Sequence, residues 1–220
     1  SFGAVVALDY FEKKSLLAAG FLNGSVQIID IANLGESKTL GFHKGAVHAV
    51  AFLDDGNLVS GGSDNKLIEW DVLGFSFLQE HMKHSSDIMD IVFSDGVLLS
   101  AGGDGEIIVW DSDPIRFSKS LRGHDEVIWS VAALLDYFVS IGRDGSIRWW
   151  DIDSSDSREI EVHDSLPASD ITFVWNDLVA IVTEYSDALQ LVNLTTGEHA
   201  KIKSIDETAL SMVEFVPTTS

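Results

Sequence analysis

Apolar and polar positions alternate along most of the chain in short runs. Val47-His48-Ala49-Val50-Ala51-Phe52 is one, Leu98-Leu99-Ser100-Ala101-Gly102 a second, and Ile107-Ile108-Val109-Trp110 a third. These runs are rich in β-branched and aromatic residues and are split by Asn-Gly and Asp-Gly pairs. That is the pattern of short strands joined in antiparallel hairpins, because a two-residue period turns one face to a core and the turn pair supplies the positive φ of a tight reversal. No segment carries helical periodicity of useful length. The 3 prolines lie outside the runs used here. The expectation is an all-β protein.

The runs belong to a repeat. Trp70-Asp71, Trp110-Asp111 and Trp150-Asp151 recur at a spacing of 40. Ile29-Asp30 and Val192-Asn193 are degenerate copies on either side. A histidine precedes each of the last four copies: His43, His84, His124 and His163. Tight-turn pairs (Asn23-Gly24, Asp64-Asn65, Asp104-Gly105, Asp144-Gly145) precede the first four Asp positions by seven residues, and Ser186-Asp187 holds that place in the fifth. A fixed period of this length marks a repeat architecture. With its histidine and Trp-Asp landmarks, the chain resembles the WD40-repeat family over nearly all of its length. Segments 42–72 and 123–152 are the strongest matches.

That resemblance implies a WD40-type β-propeller of four-stranded blades. By strand register the blades run approximately over 3–42, 46–83, 87–122, 127–162 and 168–204, with an extra strand of a sixth blade at 208–216. The commonest members have seven blades, so the expectation is part of a seven-bladed ring. The resemblance also implies a structural tetrad in each regular blade: His43, Ser60, Asp64 and Trp70; His84, Ser100, Asp104 and Trp110; His124, Ser140, Asp144 and Trp150. Ser, His and Asp together look like a hydrolase triad. A set repeated three times at one period is better read as a buried polar network that holds blade geometry. Ala19 and Ile29 replace the Ser and Trp in the first blade, and Val192 and Ser186 replace the Trp and Asp in the fifth. Trp149 reads as core between blades, whereas Glu69 at the matching position is unusual for such a site.

Other constellations carry less. The histidines fall on different blades with no cysteine beside them, so no metal site is expected. Asp151, Asp153 and Asp156 lack the glycine and glutamate of a calcium loop. The pairs Gly61-Gly62 and Gly102-Gly103 precede strand turns, not a helix N-terminus that could cradle phosphate. No cofactor is expected, and an enzyme such as a propeller hydrolase is the least favoured reading.

Charge bears on partners. The chain has 35 acidic and 14 basic residues and a formal net charge of −21. Like charge argues against direct binding to nucleic acid or to an anionic membrane. Seven of the acids (Asp30, Asp64, Asp71, Asp104, Asp111, Asp144 and Asp151) are accounted for by the fold reading. The expectation is a protein–protein interaction scaffold, a subunit or domain of a larger complex, in an intracellular setting, cytoplasmic or nuclear. An acidic reader or chaperone of basic peptides, such as histone or ribosomal-protein tails, is the alternative. Family partners dock on the top face, at the third and fifth residues after the histidine and the residue before the turn Asp. Those positions are Ala46, His48 and Ser63; Asp87, Met89 and Gly103; Val127, Trp129 and Arg143; in the fifth blade, which insertions shift, they are Ser169 and Tyr185. In the first blade they are Val6 and Leu22. Trp129 with Arg143 is the favoured hot spot, because Trp, Tyr and Arg dominate interface energetics.

Overall fold

The computed structural model describes residues 3–33, 36–134, 137–154, 156–160, 168–183, 188–196 and 198–203. Within them the chain is all-β apart from a single 3-10 turn at Glu12–Lys14. It divides into two compact units, Ser1–Leu121 and Arg122–Ser220. The segment 208–216, read as an extra strand, and the residues His163, Tyr185, Ser186 and Asp187 lie outside the described residues.

The first unit holds three antiparallel sheets of four strands, each a simple meander. The first sheet is β1 (Val5–Phe11), β2 (Leu16–Phe21), β3 (Ser25–Asp30) and β4 (Ser37–Phe42). The second is β5 (Val47–Phe52), β6 (Leu58–Gly62), β7 (Leu67–Asp71) and β8 (Ser76–His81). The third is β9 (Ile88–Ser94), β10 (Val97–Gly102), β11 (Glu106–Ser112) and β12 (Ile115–Arg122). The second unit holds two more meanders. They are β13 (Ile128–Leu134), β14 (Tyr137–Gly142), β15 (Ile147–Asp151) and β16 (Ser157–Ile160), then β17 (Ala168–Trp175), β18 (Leu178–Thr183), β19 (Ala188–Asn193) and β20 (His199–Lys203).

Local chemistry sets the reversals. The turn between the second and third strands of a sheet closes with a backbone bond, Gly24 N–H to the Phe21 carbonyl at 3.0 Å in the first sheet and Gly145 N–H to Gly142 at 3.1 Å in the fourth. The donor residue has positive φ, 88° at Gly24 and 64° at Asn65, which is why Gly or Asn stands there. At the other end, the Asp of the Trp-Asp pair closes the turn into the outer strand. Asp71 Oδ1 accepts the Leu73 and Gly74 N–H groups at 3.0 and 2.8 Å, and Asp151 Oδ1 accepts those of Asp153 and Ser154 at 2.9 Å each. Asn193 does the same for Thr195 and Thr196, so the degenerate copy keeps the turn chemistry though it has lost the Trp.

Packing within each unit joins a face of small residues to a face of large ones. In the first unit, Ala7, Ala18, Val26 and Ile28 of the first sheet meet Val50, Phe52, Leu58, Ile68 and Trp70 of the second. Ala49, Ala51 and Val59 of the second sheet then meet Ile88, Ile91, Leu98, Ile108 and Trp110 of the third. In the second unit, Val139, Ile141 and Ile147 pack with Ile171, Val179 and Val192. Trp149 lies against that core, T-shaped to Tyr137 at 5.5 Å between ring centroids, with the Arg158 guanidinium 5.0 Å from its ring. Glu69 is half-buried, and desolvation, helped by the Asp55 charge, raises its pKa. Each large side chain taken from water in these cores contributes about 1.5–3 kcal/mol.

Leu58 is 0% exposed and Leu73 70% exposed. In urea denaturation, Leu58→Ala is expected to lose about 2–5 kcal/mol through cavity formation. Leu73→Ala should stay within about 0.5 kcal/mol of the parent chain.

Candidate functional site

Three of the sheets contain the same buried polar relay. In the second sheet the Trp70 indole N–H donates to Ser60 Oγ at 2.8 Å, and the His43 ring joins Ser60 Oγ through Nε2 and Asp64 through Nδ1, both at 2.7 Å. In the third sheet Trp110 to Ser100 is 3.0 Å, Ser100 to His84 is 2.8 Å and His84 to Asp104 is 3.0 Å. In the fourth, Trp150 to Ser140 is 2.8 Å, Ser140 to His124 is 2.7 Å and His124 to Asp144 is 2.9 Å. An ionised carboxylate only accepts, so Nδ1 carries the ring proton and Nε2 accepts from the serine O–H. The connectivity is that of a hydrolase triad, but Ser60, Ser100 and Ser140 are all 0% exposed. Each hydroxyl is closed between an imidazole and an indole, out of reach of a substrate.

The carboxylates do more than hold a ring. Asp64 also accepts the backbone N–H groups of Lys44 (3.0 Å) and Lys66 (3.3 Å). Asp104 takes those of Ser85 and Glu106 at 2.7 and 3.2 Å, and Asp144 takes those of Asp125 and Ser146, both at 3.0 Å. Each Asp therefore ties the loop that carries its histidine to its own turn. The glycine two residues before the turn Asp is part of the same fit. A Cβ added at Gly102 would fall 2.4 Å from the His84 Nδ1, and one at Gly142 would fall 2.5 Å from the His124 Nδ1.

Burial sets the protonation. Desolvation pushes the pKa values of His43 and His124 below the ordinary histidine value, against the pull of Asp64 and Asp144. For Asp64, Asp104 and Asp144 burial works upward, but the N–H and O–H groups aimed at each carboxylate outweigh it and hold the pKa below the usual value.

Beside the relays, each inner strand carries a β-bulge near its first residue. The register slips between Val5 and Ala7, Val47 and Ala49, Ile88 and Asp90, Ile128 and Ser130, and Ala168 and Asp170. The bulged residues are Val6, His48, Met89, Trp129 and Ser169. A bulge leaves its residue unpaired and re-aims the side chain out of the alternation. His48, Met89 and Trp129 are the positions counted as fifth after the histidine, and Val6 and Ser169 stand at the matching place in the first and fifth sheets. All five are half-buried. In the first four sheets their neighbours are latched by one backbone bond each: Leu22 N–H to Ala4, Ser63 to Ala46, Gly103 to Asp87 and Arg143 to Val127, at 2.7–2.9 Å.

In the first unit, His48 Nε2 lies 2.7 Å from Ser63 Oγ and 3.7 Å from Asp87 Oδ2. Ser63 and Asp87 approach the same ring nitrogen, so this is not a charge relay. In the second unit, Arg143 pairs with Glu126 at 3.5 Å, an exposed contact, and Ser169 Oγ donates to the Val182 carbonyl at 3.3 Å. Ser130 Oγ donates to Asp170 at 2.9 Å, joining the inner strands of the fourth and fifth sheets. The bulges and the loop N–H donors escaped sequence reasoning. A spacing that placed the fifth residue after the histidine one step out of phase with the buried alternation could have revealed the bulge.

A family model described as "WD domain, G-beta repeat" matches residues 35–71, 75–111 and 115–151. The first match takes in β4, the outer strand of the first sheet, and ends on β7 of the second. The sequence repeat is thus one strand out of phase with the sheet. A protein of Clavispora lusitaniae called "Restriction of telomere capping protein 1" is 36% identical over 78 residues, covering 33% of this chain and 7% of that protein.

Ser140→Ala removes the acceptor for the Trp150 indole and the donor for His124. Thermal or urea unfolding should show a loss of about 2–4 kcal/mol from the two stranded groups. His43 and His124 are depressed, so the stability they lend is complete above the ordinary value near 6.5 and is lost as pH falls toward their folded-state values. The aspartates add a second loss below about pH 4, in the same direction. Unfolding temperature should therefore drop from pH 7 to 5.5, and the drop should shrink in a His124→Gln chain. An equal drop in both chains would remove His124 as a cause.

Proposed function

The chain belongs to the WD40 repeat family, whose members typically serve as protein-interaction scaffolds. From that membership we propose that it binds protein partners at the end of the sheets where the bulges lie, as part of a larger assembly. The observation that carries this reading is the row of bulged residues. One side chain per sheet is lifted out of the packed alternation at the same place, and its identity differs in every copy: Val6, His48 and Met89 in the first unit, Trp129 and Ser169 in the second. In the second, third and fourth sheets the relay beneath is the same. A rigid frame that varies one outward residue per repeat is how a repeat protein acquires a specific contact surface without changing its core.

Trp129 is the main anchor, being large, half-buried and joined to a strand whose next residue, Ser130, is bonded across to Asp170. A side chain already held in place loses little entropy on binding. Met89 offers a polarizable, adaptable contact. Arg143, exposed and paired with Glu126, belongs to the rim, where charge steers encounter more than it adds affinity.

The test is affinity capture with the native chain and with a Trp129→Ala, Arg143→Glu chain, each checked for an unchanged unfolding temperature. Truncation of a hot-spot Trp costs about 2 kcal/mol or more, roughly thirtyfold in Kd, so partners seen with the native chain should be lost. Their full retention by the folded variant would refute the bulge-end surface.

A further inference from the structure

We propose that the opposite end of the first unit binds an extended basic peptide and seats one arginine or lysine side chain in a cavity between inner-strand termini. The cavity, of about 300 Å³, lies where β1, β5 and β9 run out. Its walls include Phe11, Phe52 and Phe93, and its rim carries Asp9, Glu12 and Asp54 together with Lys13. Phe11 and Phe52 stack with ring centroids 5.3 Å apart. Asp9 fixes the wall, because one carboxylate oxygen accepts the Tyr10 N–H at 2.8 Å and the other the Phe52 N–H at 2.7 Å.

Two observations identify the occupant as cationic. The first is that the aromatic wall already takes ammonium groups: Lys13 Nζ and Lys14 Nζ each stand 5.8 Å from the Phe11 ring centroid. A cation over a ring face within about 6 Å is attracted by the ring quadrupole. Both lysines are exposed, and exposed ammonium termini exchange readily with a competing cation.

The second is the uneven use of acid along the strands of this unit. At the bulge end, the Asp64 and Asp104 carboxylates are taken up by histidines and backbone N–H groups. At the cavity end, Glu12, Asp54 and Asp95 sit exposed on the three inner turns, while Asp55 is held by the Asn57 backbone and side-chain N–H groups. The surface thus sets phenyl rings among carboxylates, with the Lys13 and Lys14 ammonium groups beside them. An arginine or lysine fits by laying its stem on the rings and its charge among the carboxylates, with flanking basic residues meeting the rim.

A fluorescein-labelled peptide of alternating arginine and serine is titrated against the chain by anisotropy. The Glu12→Lys, Asp54→Lys chain should bind about tenfold more weakly. A Glu36→Lys, Asp153→Lys chain, with the same change in net charge, should stay within about twofold of the parent. Replacing both Lys13 and Lys14 by Gln removes the internal competitors and should tighten binding about threefold. Equal weakening in both charge-reversed chains would mean that the peptide reads only the overall −21 charge and would overturn the proposal, as would no weakening in either. The Trp129→Ala chain keeps this binding, so loss of the bulge-end surface and loss of this cavity are separable results.

Discussion

A serine hydroxyl has one proton to give and two lone pairs with which to accept. In Ser60, Ser100 and Ser140 both kinds of capacity are used at the centre of a sheet, with the proton to imidazole Nε2 and a lone pair to the indole N–H. Burying such a group without partners costs several kcal/mol, whereas a fully satisfied network stiffens its surroundings. In those three sheets it ties the neighbouring elements together. The indole anchors the third strand, the imidazole anchors the loop entering the sheet, and the carboxylate closes on both the loop and the turn. Because the histidine comes from the segment after one sheet and bonds within the next, the network sets where each new inner strand begins.

That start point is where the bulge lies. A strand that must leave the histidine loop at a fixed place and then enter the buried alternation has a residue in excess, and the excess residue turns outward. In the second, third and fourth sheets the bulged residue therefore lies directly beside the relay and takes no part in it. The first sheet illustrates the converse. With Ala19 and Ile29 in place of the Ser and Trp, its turn is held by Asn23, whose Oδ1 accepts from the Ser25 N–H and hydroxyl at 3.0 and 2.8 Å. The bulge at Val6 survives because the Leu22 to Ala4 backbone bond remains.

The two ends of the first unit differ in how they use charge. Near the relays, acid is structural and quenched by N–H donors. At the other end the inner turns need only a reversal, so Glu12, Asp54 and Asp95 are free to face solvent. A strongly acidic composition thus resolves into a polarised one. Attraction of a basic segment would be focused where the carboxylates are exposed, next to aromatic surface that can take the stem of a long cationic side chain.

The sequence by itself determined the all-β class and the repeat, and the family resemblance that the repeat carries implied the members of each relay. These are local facts: a two-residue alternation, turn residues required by positive φ, and polar types at a constant spacing. The Trp-Asp aspartate and its Asn193 substitute were likewise legible, since an Asx-type turn involves only neighbours in the chain. Only the tertiary structure decided that Ser60, Ser100 and Ser140 are sealed from substrate. It also decided that His48, Met89 and Trp129 are bulged, that Arg143 meets Glu126, and that Phe11, Phe52 and Phe93 meet at one cavity. The physical reason is range. Accessibility, strand register and the meeting of side chains from different sheets depend on how faces pack across tens of residues, and no spacing along one strand records that.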